Sequence, residues 1–159
     1  MGLPMCEIKK VKAADMFLLI SEILEKGKKT KILVSGESMN PFLRDGIDSV
    51  EFTKGCFEQL SRGDIVVIKR SDGSYVMHRI YRKEIDCFFM VGDAHQWIEG
   101  PLYPEQLVAV VTAIWREDQR IPCSNRWWRL LSGLWLLLRP IRYFILRVHK
   151  KLQKPRKPR

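Results

Sequence analysis

Three short stretches of this chain carry residue types suited to attack on a peptide bond. The first is Val34-Ser35-Gly36-Glu37-Ser38-Met39-Asn40-Pro41-Phe42-Leu43. A serine hydroxyl on a Gly-containing turn at a strand end is a pre-organised nucleophile, and Pro41 removes one backbone donor while fixing the exit direction of the chain. Backbone N–H groups around Ser38, in the turn that includes Gly36, Glu37 and Met39, can point at a developing oxyanion. The same tetrapeptide also serves as an ordinary turn. The second stretch is Tyr75-Val76-Met77-His78-Arg79-Ile80. On a strand, His78 shares a face with Val76 and Ile80, and Met77 and Arg79 face the other way. An imidazole among β-branched side chains is desolvated and stays neutral, which suits a base toward a serine hydroxyl and equally a histidine of the core. The third is Phe89-Met90-Val91-Gly92-Asp93-Ala94-His95. Gly-Asp after an apolar strand is a turn signal, and Asp93 there is placed to orient His78 or to brace the site.

These residues need a scaffold, and the hydrophobic pattern describes a mainly β one. Strands are expected over 31–35, 48–53, 64–69, 75–82, 87–91 and 107–115. A Ser71-Asp72-Gly73-Ser74 turn should join the third and fourth as a hairpin. Many short strands with turn signals between them describe a compact, curled β fold and not alternating βα units. Residues 12–26 have helical spacing, with Asp15 as a cap and Gly27 as a stop. The expected organisation is an N-terminal helix and lead-in over 1–30, a β domain over 31–116, and a linker with a C-terminal amphipathic helical tail over 117–159.

The 159 residues suffice for one domain with a core that needs neither metal nor disulfides. Net charge is +10, yet residues 116–159 hold 13 of the 28 Lys+Arg and only 2 of the 18 Asp+Glu. The body is therefore near neutral, which argues against nucleic acid as partner. Cys6, Cys56, Cys87 and Cys123 form no Cys-x-x-Cys pair and only three histidines are present, so no metal or other cofactor is expected. Free thiols in a reducing compartment fit this usage. The tail mixes Trp127, Trp128 and Trp135 with Leu and Arg, and its longest uncharged run, Leu130–Leu138, has nine residues. A spanning helix needs about 20. The pattern fits a helix lying in an anionic membrane interface, kinked near Pro140, or one that packs on the body or on a partner protein.

In the order Ser35-Gly36-Glu37-Ser38-Met39-Asn40-Pro41, Gly63-Asp64-Ile65-Val66, Met77-His78-Arg79-Ile80, Gly92-Asp93, these motifs resemble the signal peptidase and self-cleaving repressor superfamily of serine peptidases over about residues 31–115. The single residue between Gly36 and Ser38 resembles the repressor and mitochondrial inner-membrane peptidase form. The base position resembles the Ser-His subtype, in which His followed by Arg replaces the Lys of repressors and most bacterial signal peptidases. The resemblance implies a signal-peptidase-like curled β fold, peptide hydrolysis without a cofactor, and an extended peptide or protein substrate lying along a strand edge. It assigns the nucleophile to Ser38 and the general base to His78. In that subtype a further acid stands seven positions after the Gly of the Gly-Asp turn. Glu99 holds that position here, so Asp93 and Glu99 are both candidates for the third residue. The chain departs from the pattern at Ala94, where the subtype has Asn. With no signal peptide or N-terminal anchor in view, and only one helix's worth of chain before residue 31, neither secretory signal processing nor repression is the expected role. Processing of a cytoplasmic peptide or protein precursor at the inner face of the membrane, with the tail as a peripheral contact, is. A non-catalytic peptide-binding module and a membrane-surface adaptor are the competing readings.

Overall fold

A computed structural model describes residues 30–153. The helix expected over 12–26 lies outside the described residues. Eight strands form one antiparallel sheet: β1 (Thr30–Leu33), β2 (Ser49–Lys54), β3 (Ile65–Lys69), β4 (Tyr75–Lys83), β5 (Phe88–Val91), β6 (Glu99–Leu102), β7 (Leu107–Arg116) and β8 (Gln119–Pro122). The order is β1-β2-β7-β3-β4-β5-β6, with β8 pairing on β7. Two helices follow, α1 (Arg126–Leu137) and α2 (Arg142–Gln153). The protein is thus mainly β, as the pattern of short apolar runs implied.

The apolar run of β3 explains the layering. With β7 on one side and β4 on the other, β3 sits inside the sheet and is buried on both faces. Ile65 and Val67 enter one cluster with Met39, Leu43, Phe52 and Ile114. Val66 and Ile68 enter a second with Leu60, Ile80, Phe88 and Met90. Register shifts interrupt the β2–β7, β3–β7, β4–β5 and β5–β6 ladders, and such bulges bend strands and increase their twist. The β3–β4 hairpin closes as expected, with Gly73 in a left-handed conformation and its N–H donating to the Arg70 carbonyl (2.9 Å).

The region after β7 departs from the expected linker. Glu117 and Asp118 both have positive φ (48° and 64°) and form a two-residue turn, so the chain folds back as β8 with Trp115 opposite Arg120. Both central residues of a type I′ turn are left-handed, and the usual Asn-Gly signature is absent here, which is why the sequence pattern hides this hairpin. Nor is the following segment detached. Asn125 caps α1, its Oδ1 accepting from the N–H of Trp127 and Trp128. Ser132, Trp135 and Leu136, at i, i+3 and i+4, are buried against the body. The helical chain breaks at a 3-10 turn, Arg139–Ile141, carrying Pro140. No helix among the described residues is long and apolar enough to cross a membrane.

Candidate active site

Ser38 stands on the long loop between β1 and β2, and several anchors fix that loop. Met39 and Leu43 are buried in the first cluster. The base of the loop is clamped by Asp48, whose carboxylate accepts from Arg44 Nη2 (2.8 Å), the Arg44 backbone N–H (2.9 Å) and Arg116 Nη2 (2.9 Å). Burial alone would raise the pKa of Asp48, but these hydrogen bonds outweigh it and hold it at about 2. Gly36 has φ +99°, a conformation L side chains rarely adopt. Its N–H donates to Asp45 Oδ1 (2.8 Å), so this donor of the nucleophile turn is already engaged. The N–H groups of Ser38 and Met39 have no acceptor among the described residues. Glu37 is exposed and Ser38 half-buried.

His78 occupies β4 and is buried. Ser38 and His78 line the same groove, about 310 Å³, together with Gly36, Arg70, His95 and Trp97. Gly92 lets them approach. A Cβ there would lie 2.8 Å from the Ser38 carbonyl oxygen, 3.0 Å from His78 Nε2 and 2.7 Å from His95 Nδ1, so only glycine fits. Two positions on, the Ala94 N–H donates to the Ser38 carbonyl (2.8 Å), tying the turn after β5 to the loop that carries Ser38. No hydrogen bond joins Ser38 Oγ to the imidazole; such bonds are commonly loose before substrate binds.

The two candidate acids go to different places. Asp93 faces Arg79 across a fully buried pair, accepting from Nε at 2.8 Å and Nη2 at 2.6 Å. Arg79 Nη1 also donates to the Gly63 carbonyl and to Ser132 Oγ, both at 2.9 Å. Asp93 therefore braces the turn and does not touch His78. Glu99 lies beside the imidazole, with Oε2 3.7 Å from Nδ1. Arg70 grips the same carboxylate, with Nη2 at 2.6 Å from Oε2 and Nε donating to Oε1. His78 Nδ1 is buried without a hydrogen-bond partner. A proton on Nδ1 would face Glu99, which leaves the Nε2 lone pair on the Ser38 side. Burial, reinforced by neighbouring His95, pulls the His78 pKa down to about 4, and Glu99 opposes this only in part. The imidazole is neutral at pH 7, the form a base requires.

Other residues of the groove carry no motif signal. His95 meets His78 edge-on (ring centroids 5.5 Å) and stacks on Trp97 (5.0 Å), and burial lowers its pKa too. Alternation of His95 and Trp97 in sequence is the one hint of that stack. Arg70 ends the β3 run and is legible only as a turn residue. On the other side of Ser38 a second groove of about 600 Å³ is walled by Asn40, His95 and, from α2, Tyr143, Leu146 and Arg147. The C-terminal helices thus belong to the site's surroundings. Trp135 Nε1 donates to the Asp93 carbonyl (3.0 Å), Arg139 to that of Gln96 (2.8 Å), and Arg142 to those of Gly92 and His95 (3.0 and 3.1 Å). A third cavity, about 400 Å³ between α1 and the start of β3, contains none of the candidate residues.

No protein-family model, curated protein or solved structure matches the chain.

Proposed function

We propose that the protein is a serine endopeptidase that cleaves a peptide or protein precursor, with Ser38 as nucleophile and His78 as general base. The observation that carries this reading is the groove in which a turn serine and a buried, neutral histidine converge across a glycine that admits no side chain. The order of motifs shared with signal peptidases and self-cleaving repressors supports it, and so does the mainly β, bulged sheet.

In this mechanism Ser38 Oγ attacks the scissile carbonyl and His78 Nε2 takes its proton. Glu99, held by Arg70, favours the Nδ1–H tautomer and the imidazolium that forms. The N–H groups of Ser38 and Met39, which have no acceptor among the described residues, serve as the oxyanion donors in this reading. His78 then returns the proton to the leaving amine, and water resolves the acyl-enzyme by the same route. The missing Ser38–His78 hydrogen bond favours one rival, a peptide-binding module without turnover. A fluorophosphonate probe decides between them. The full chain should acquire the adduct on Ser38, and Ser38→Ala should lose both labelling and at least about 10³-fold in cleavage rate while melting as the parent does. A Ser38→Ala chain that cleaves a peptide as fast as the parent would overturn the assignment.

A further inference from the structure

The structure also assigns a partner to the C-terminal helices: we propose that residues 126–148 form a docking face for the surface of an anionic phospholipid bilayer. The rotational setting of α1 is fixed from inside. Ser132 accepts from Arg79, Trp135 donates to the Asp93 carbonyl, and Leu136 is buried. The buried Arg142 similarly pins the start of α2 to three backbone carbonyls, those of Gly92, His95 and Trp135. With these anchors made, neither helix can turn its other face inward.

That other face is apolar and, among the described residues, exposed. On α1, Trp127, Leu130, Leu131, Leu134 and Leu137 recur at helical spacing and are 51–74% exposed. Ile141, Phe144, Ile145 and Val148 make a second such stripe along α2, opposite the side whose Tyr143 and Leu146 wall the Ser38 groove. Ten of the sixteen exposed large apolar side chains among the described residues lie in this segment, so the exposure is a patch and not scatter.

Charge selects the occupant. From Gln119 to Arg159 the sequence holds twelve Lys and Arg and no Asp or Glu. Arg126, Arg129 and Arg147 are exposed beside the stripes. A second copy of this chain would bring the same cations against them in any two-fold arrangement. A bilayer carrying anionic headgroups offers apolar depth and negative charge together, and Trp and Arg suit its boundary. A twelve-residue helix is about 18 Å long, well short of a roughly 30 Å hydrocarbon core, so the helices lie on the surface and do not cross it.

The test is vesicle flotation of the full chain. It should float with phosphatidylcholine vesicles containing one third phosphatidylglycerol, far less with phosphatidylcholine alone, and progressively less as salt rises. The double variant Arg126→Gln/Arg129→Gln should bind about thirtyfold more weakly, the equivalent of about 2 kcal/mol at roughly 1 kcal/mol per basic residue. The triple variant Leu131→Ser/Leu137→Ser/Phe144→Ser should lose more than about tenfold while keeping its circular-dichroism spectrum at the assay temperature, because those side chains are half or more exposed. Fluorophosphonate labelling of Ser38 should be unaffected in both, which separates the fate of this proposal from that of the peptidase reading. A parent chain that stays unbound, binding that the substitutions leave unchanged, or a dimer in lipid-free light scattering that the Leu and Phe substitutions dissociate would each overturn it.

Discussion

His78 and Arg79 are consecutive on β4, and each faces a carboxylate from the stretch that follows β5, yet the two pairs are built to opposite specifications. Arg79 and Asp93 are both fully buried, joined by two short hydrogen bonds, and roofed by Ser132 of α1. His78 lines an open groove, Glu99 lies 3.7 Å from its imidazole, and the carboxylate is shared with Arg70. A strand turns alternate side chains to opposite faces. One face here is closed by the C-terminal helix and serves to hold the turn. The other brings His78 to the groove that Ser38 also lines, so an imidazole there can exchange a proton with something that enters. Which acid stands beside the histidine is decided by that facing and not by distance along the chain.

Substitutions on the two sides should separate accordingly. The largest effect is expected from His78→Ala, which should lower kcat by about 10²–10⁴-fold, measured on a soluble peptide at a temperature where the variant is folded. Next comes the contrast between the acids. Asp93→Asn leaves a buried guanidinium uncompensated and should cost about 3–5 kcal/mol of stability in denaturant titration. Glu99→Gln should leave stability nearly intact and lower kcat by roughly tenfold, the equivalent of about 1.4 kcal/mol. If Asp93→Asn instead melts as the parent does and only slows turnover, the division of labour drawn above collapses.

Proton titration sharpens the same comparison. The folded His78 pKa is depressed to about 4 from 6.5, so the base stays deprotonated well below neutrality. The acid limb of kcat/KM should therefore fall near pH 4, and a limb near 6.5 would show an imidazole in contact with water. For stability, a depressed histidine contributes above its unfolded pKa, and that contribution is lost as pH falls from 6.5 toward about 4. Asp48, lowered from 3.8 to about 2, adds a further loss below that window, as pH falls from 3.8 toward about 2. The smallest expected effect is Trp135→Phe. It removes one hydrogen bond to the Asp93 carbonyl and should cost about 1 kcal/mol in the same titration.

Much of the sheet was legible because apolar runs and turn residues coincide. The expected strand over 64–69 is β3, that over 75–82 is β4, and the Asp72-Gly73 turn joins them. β6 and β8 were hidden. Glu99-Gly100-Pro101-Leu102 reads as a turn, and it pairs only because it runs along the outermost strand position, where a missing N–H is tolerated. β8 depends on a turn made by Glu117 and Asp118, neither of which advertises it. The loss of β6 from the sequence reading mattered most, since β6 carries Glu99.

The sequence by itself determined that the chain is mainly β, that Ser38 lies on a turn leaving a strand and that His78 lies on a strand, because side-chain periodicity and glycine or proline conformational limits act locally. It also determined that the C-terminal segment is amphipathic and basic. Only the tertiary structure decided that Glu99 stands beside His78 while Asp93 serves Arg79, that Gly92 must lack a side chain, and that the C-terminal helices hold the turn over 92–96. These are contacts between groups fourteen to more than fifty residues apart. They arise from strand pairing and helix docking, which depend on the sum of burial across the whole core and leave no mark in any short window of residues.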